Sequence, residues 1–125
     1  MKDIEERLHD LSGWGADPNS AIKRMMGDED LFLKLLSDFL SSRDWDKLIE
    51  LINQGSFEEA FIISHRMKGS SADLSLGPIF KSLCNVTDDL RGEVRESLGD
   101  DLRVLYLQRD SLTNIFHGDL LKTYN

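Results

Sequence analysis

The sequence predicts an all-α protein: an antiparallel up-and-down four-helix bundle with a short N-terminal helix capping one end. Three observations predict it. Apolar residues recur at three- and four-residue spacing over nearly the whole chain. No stretch alternates apolar and polar residues between turn clusters, as a strand would. The only two prolines, Pro18 and Pro78, both stand where a helix can begin. A chain of 125 residues supports a single domain over 1–125. It can bury roughly two thirds of its unfolded surface, without a metal or disulfide staple.

The first helix opens at Asp17-Pro18, an N-cap followed by proline at the first helical position, and carries Ala21, Ile22, Met25 and Met26 to a stop at Gly27. Asp28 starts the second, where Leu31, Phe32, Leu35, Leu36, Phe39 and Leu40 recur at helical spacing. Ser41-Ser42 predicts a kink, after which Trp45, Leu48, Ile49 and Ile52 continue the same helix to Asn53-Gln54-Gly55. Ser56, with Glu59 three residues on, predicts a capping box for the third helix, which runs to about Leu74. A break at Ser75-Leu76-Gly77 leads to Pro78 and a fourth helix with Ile79, Leu83, Val86, Leu90 and Val94 facing inward. Leu98-Gly99 reads as a turn, and the last helix spans about 101–121. Long helices joined by two to four residues must run up and down beside one another.

Charge and composition narrow the function. The chain carries 23 acidic against 15 basic side chains, a net charge of −8, which argues against nucleic acid and anionic membrane surfaces. The charged start, Met1-Lys2-Asp3-Ile4-Glu5-Glu6, lacks the apolar stretch of roughly 7–15 residues that secretion needs. No run approaches the ~18–20 apolar residues of a membrane span. A single Cys84 excludes an internal disulfide and suits a reducing compartment. A cytoplasmic monomer is expected, and the termini suggest a complete protein rather than an excised domain.

The third helix carries the chemistry. At 100° per residue, Phe57, Ala60, Ile63, Ser64, Met67, Ser71 and Leu74 gather on one face. His65 falls about 130° from the centre of that stripe. Its neighbours on the open flank are Glu58, Phe61, Ile62, Gly69 and Ala72, with Lys68 one turn away. Gly69 stands in the helix interior, where glycine costs about 1 kcal/mol against alanine. Close approach of another surface accounts for a glycine one turn after a histidine. Ile62 adds an apolar contact on the same exposed flank.

The run Ser64-His65-Arg66-Met67-Lys68-Gly69-Ser70-Ser71 resembles the histidine-containing phosphotransfer (HPt) family, whose pattern is a small residue, His, an aliphatic at +2, Lys at +3, Gly at +4 and two small residues. The similarity extends upstream through Gly27-Asp28-Glu29-Asp30-Leu31-Phe32 to Phe39, and downstream through Ala72-Asp73-Leu74, Leu83-Cys84 and Asp89-Leu90. It covers about Ala16 to Arg95. Ser64 and Met67 replace the commoner Ala and Leu, and Ser75 stands where a glycine usually follows, with Gly77 two positions on. Arg91 lies near where the family often has a basic or polar residue facing the phosphohistidine.

The resemblance implies a phosphocarrier in a His–Asp phosphorelay of two-component signalling. His65 would accept and donate the phosphoryl group, Lys68 would offset its charge, and Gly69 would leave room for the partner. Phe61, Ile62, Ala72 and Arg91 would form part of the docking patch. The implied partners are a response-regulator receiver domain, which supplies the aspartate and a divalent metal, and a hybrid sensor histidine kinase. Neutral imidazole is a good nucleophile near pH 7, and phosphoryl transfer needs mainly positioning and charge neutralisation. The chain shows no glycine-rich phosphate loop and no kinase lobe, so no cofactor or ATP-dependent activity of its own is expected.

Other readings carry less. A non-catalytic helical module binding a receiver or a partner helix would not need His65, Lys68 and Gly69 together. The dimerisation domain of a sensor kinase would place an acid after the histidine, where Arg66 stands. His9 and His117 have no ligand partners at helical spacing, His117 with Asp119 reads as a surface contact, and no metal site is expected. Cys84 reads as a buried small hydrophobe, and Trp14 and Trp45 as packing anchors. Arg91, Arg95 and Arg103, interleaved with acids, read as a solvated face.

Overall fold

In a computed structural model of the chain, the backbone is described for residues 2–124 and the side chains for residues 2–117, so Asp119 lies outside the described side chains. The described residues form no strand, as the periodicity predicts, and seven helices where five were expected.

The N-terminal region departs from expectation. A helix that the sequence reading did not assign, α1 (Ile4–Trp14), precedes Asp17 and is capped by Asp3, whose side chain accepts from the Glu6 backbone N–H. Leu11 is buried, and Leu8 and Trp14 pack against the core from the same helix. Gly15 ends α1 at φ 122°, and a Cβ there would stand 2.9 Å from the Pro78 ring, so both its conformation and its neighbour require glycine. The predicted short helix follows as α2 (Pro18–Arg24), with Asp17 accepting from the Ser20 backbone and hydroxyl. Those bonds hold the Asp17 carboxyl below its ordinary value.

The predicted second helix is two helices. α3 (Glu29–Leu40), capped by Asp28, stops where Ser41 turns its hydroxyl back to the Ser37 carbonyl. α4 (Asp44–Asn53) begins after Ser42, whose hydroxyl accepts from the Asp44 backbone N–H. Two consecutive serines satisfying local backbone groups end the ladder rather than bend it. Trp45 then folds back, donating from Nε1 to the Phe39 carbonyl at 2.9 Å. It packs edge-on against Phe39 and Tyr106.

α5 (Phe57–Asp73) matches the prediction, but its capping box does not form: the Ser56 side chain makes no cap hydrogen bond. α6 (Gly77–Leu90) starts one residue before Pro78 and ends before Val94, which packs on the core from the connection instead. α7 (Leu98–Tyr124) begins three residues earlier than expected, with Leu98-Gly99 in its first turn. Cys84 is half-buried rather than buried.

The turn between α5 and α6 is made by Ser75 at φ 55°. A non-glycine residue in that region costs about 1–2 kcal/mol. Several bonds hold it there: the Ser75 carbonyl accepts from the Asp17 N–H at 2.9 Å, and its hydroxyl accepts from the Arg24 guanidinium at 2.8 Å. α5 packs between α4 and α6, α6 against α7, and α1 against α7 and α2. Phe32, Leu36, Leu48, Ala60, Ile79, Leu83, Val86, Leu105 and Leu112 are wholly buried between them. No helix among the described residues is long and apolar enough to cross a membrane.

Candidate functional site

The site is built on α5, whose two faces divide as the periodicity predicts. Ala60, Ile63, Ser64, Met67 and Ser71 are buried, while Glu58, Ile62, His65, Gly69 and Ala72 are exposed. The buried serines stay satisfied. Ser64 Oγ donates to the Phe61 carbonyl at 3.0 Å and accepts from Thr87 Oγ1 at 3.1 Å, and Ser71 Oγ donates to the Lys68 carbonyl at 2.7 Å. The Ser64–Thr87 bond ties α5 to α6 directly beneath the residue that precedes His65. Small side chains here let the two helices approach closely, which fixes the backbone that carries the imidazole.

Around His65, the Phe61 ring meets the imidazole edge-on at 6.1 Å between centroids. Arg91, at the end of α6, lays its guanidinium 5.4 Å from the centre of the Phe61 ring, a cation–π contact. Arg91 also pairs with Asp88 at 3.7 Å. His65, Phe61 and Arg91 therefore form one connected group, although they come from two helices. Lys68 is half-buried on the same side of α5, and among the described residues it has no ion-pair partner. Arg66, two residues before it, is fully engaged: its guanidinium donates twice to Asp44 of α4, at 2.7 and 3.2 Å.

Nothing stands within 4 Å of where a Cβ would sit on Gly69. Packing inside the molecule therefore does not explain the glycine. Ile62 is 60% exposed two turns before it. The open surface over His65 thus combines an imidazole, an apolar shoulder, a gap at Gly69 and Ala72, and two cations at the α6 side. An anion seated at the imidazole would find positive charge nearby without having to displace an internal partner of Lys68.

The remaining candidates fall elsewhere. His9 is exposed on α1, and His117 stacks edge-on with Phe116 at 4.8 Å. No group of three His, Cys, Asp or Glu side chains suited to a metal occurs among the described residues. Arg103 pairs with Asp100 at 3.6 Å, in line with a solvated face. A cleft of about 310 Å³ between α3, α4 and α5, lined by Phe39, Trp45 and Met67 among others, opens on the other flank of α5; of the motif it takes Met67 and Ser70 but not His65, Lys68 or Gly69. Sequence reasoning passed over Thr87 and Asp44. Thr87 sits one turn before Arg91 on the inner face of α6, and its β-branched hydroxyl opposite Ser64 was the available signal.

No family model matches the chain, and neither a curated protein nor a solved structure matches it. What the site does is therefore read from its own residues and geometry.

Proposed function

We propose that this protein is a histidine phosphocarrier of the HPt kind, with His65 as the residue that is phosphorylated. The observation that carries the reading is the exposed imidazole of His65 on a helix whose next turn is an unpacked Gly69. In the reaction, the unprotonated ring nitrogen attacks the phosphorus of an aspartyl phosphate on a receiver domain. The N–P bond forms, the P–O bond to the aspartate breaks, and the carboxylate leaves with the bonding pair. The receiver's metal would neutralise the transferring group from one side, and Lys68 from the other. Return of the phosphoryl group to a second receiver reverses the same steps.

The proposed architecture has α3 with α4, α5, α6 and α7 as an antiparallel four-helix bundle, with α1 and α2 at one end. Packing in chain order and connections of three to seven residues support it. The proposed partners are a receiver domain and a hybrid sensor kinase, which dock over Phe61, Ile62, Gly69 and Ala72 in a reducing, cytoplasmic setting.

The test is phosphotransfer from a radiolabelled phospho-receiver to wild type and to His65→Gln. Label on wild type alone, lost in acid and stable in base, is the expected result. Binding without label across a panel of receivers would replace this reading with that of a non-catalytic docking module.

A further inference from the structure

The cleft of about 310 Å³ between α3, α4 and α5 has no part in the chemistry proposed for His65. Its floor is apolar: Phe39, Trp45, Met67 and Leu74 are each no more than 8% exposed. Its rim is acidic, carrying Asp38, Asp44 and Asp73, with no lysine or arginine among the lining residues. Concave, mainly apolar sites with a few placed polar groups are where proteins take ligands.

The apolar surface continues beyond the mouth. Leu35 stands on the rim at 37% exposed, and Leu31, one turn earlier on the same face of α3, is 38% exposed. Met25 also lines the cleft, and Met26 beside it in the chain is 95% exposed. Met26 holds φ at 60°, a left-handed angle that is unfavourable for a residue with a side chain. Neither its exposure nor its backbone angle helps the fold, and exposed methionines suit adaptable binding surfaces.

The charge on the rim is available to a partner. Asp38 pairs with Lys34 at 3.2 Å, but both side chains are largely exposed, which makes the pair weak. Asp73 has no ion pair among the described residues. The Arg24 guanidinium nearby donates to the Ala72 and Asp73 carbonyls and to the Ser75 hydroxyl instead. Asp44 differs, being held by Arg66 through two bonds.

We propose that this cleft docks an amphipathic helix of another protein, apolar on the face that enters and carrying Lys or Arg beside that face. The charge of the partner follows from the two available carboxylates at the mouth and from the net charge of −8, which draws basic segments. Its length follows from Leu31 and Met26, which a ligand confined to the cleft would leave uncovered. Strand addition has nothing to build on, since the described residues contain no strand. The buried rings of Phe39 and Trp45 offer no exposed aromatic platform for a polyproline segment. A helix fits, with one anchor in the cleft and others at helical spacing over Leu35 and Leu31.

The cleft and His65 lie on different flanks of α5. Met67 and Ser70, which line the cleft, leave the helix about 200° and 140° round from His65. A helix docked there keeps the imidazole open, so the protein can be held beside a partner while transfer proceeds. That consequence rests on the phosphocarrier reading, and the docking itself does not.

The probe is a synthetic helical peptide of about 18 residues, with leucines on one face and lysines beside them, titrated into the whole protein while methyl signals are followed by NMR. The expected result is saturable shifts at Met25, Leu31, Leu35 and Met67, with an affinity that falls as salt is added. Leu35→Gln and the double variant Asp38→Asn with Asp73→Asn should each weaken binding about tenfold or more, and Leu107→Gln, on the exposed face of α7, by less than about twofold. The same peptide with glutamate in place of lysine should not bind. Absence of binding at millimolar peptide, equal binding of the glutamate peptide, or shifts centred on Val104 and Leu107 overturns the proposal. So does hexylammonium saturating the cleft methyls as tightly as the peptide, which would assign the cleft to a small organic cation. His65→Gln should bind the peptide as wild type does, so loss of phosphotransfer and loss of docking are read separately.

Discussion

Arg66 and Lys68 are two cations on one helix, two residues apart, and they do different work. Their side chains leave α5 about 160° apart. Arg66 points to α4 and is held by both oxygens of Asp44, which raises its guanidinium above its ordinary value. Lys68 points to the α6 side, where His65, Phe61 and Arg91 lie. The α4 flank of α5 is thus internally neutralised, and the α6 flank keeps charge available to something from outside. A cation beside a nucleophile is useful for phosphoryl chemistry only if no internal carboxylate already holds it.

The largest effect expected is at His65 itself. His65→Gln should abolish acid-labile label while leaving the thermal midpoint unchanged, because the side chain is exposed and bonds to nothing that the fold needs. Phosphate appearing at another residue would break the assignment. Next is the pair of cations. Lys68→Ala should slow transfer about tenfold or more, the scale of one electrostatic donor in a phosphoryl site, with stability within about 0.5 kcal/mol of wild type. Arg66→Ala should do the reverse, costing under about 1 kcal/mol as a largely exposed ion pair and leaving transfer intact. Equal kinetic losses in the two variants would erase the distinction between the flanks.

Two smaller effects sharpen it. Thr87→Val leaves Ser64 without its donor from α6 and should cost about 1–3 kcal/mol in urea unfolding, with transfer reduced only through the backbone beneath His65. Gly69→Ala should stabilise the helix by up to about 1 kcal/mol, since the added methyl meets open space. Gly69→Gln should keep that gain in part but weaken receiver binding. A Gly69→Gln variant that binds and transfers normally would show that the gap is not a docking surface.

Much of this was legible in the sequence. The face of α5 that packs, the exposure of His65, and the proximity of Ile62, Gly69 and Ala72 all follow from helical periodicity. The misses have physical causes. α1 was missed because the charged start was weighed only against a secretion signal, although Asp3 with Glu6 three residues on has the form of a helix start. The Ser41-Ser42 break was visible as a weak point, but its outcome depended on Trp45 reaching back to Phe39. Ser56 carries a capping-box pattern without the bond. Ser75 is a site where the chain accepts an unfavourable backbone angle because Arg24 and Asp17, far away in the sequence, bond to it.

By itself the sequence determined the helical class, the α5 stripe and the exposed histidine, because these depend on residue spacing along a single helix. Tertiary structure decided which of the two cations stays unpaired, that Arg91 reaches His65 by way of Phe61, and that Asp89 is buried with its carboxylate accepting from Ser97. Those outcomes depend on which carboxylate, ring or hydroxyl a neighbouring helix brings within a few ångströms, and a one-dimensional pattern does not contain that information.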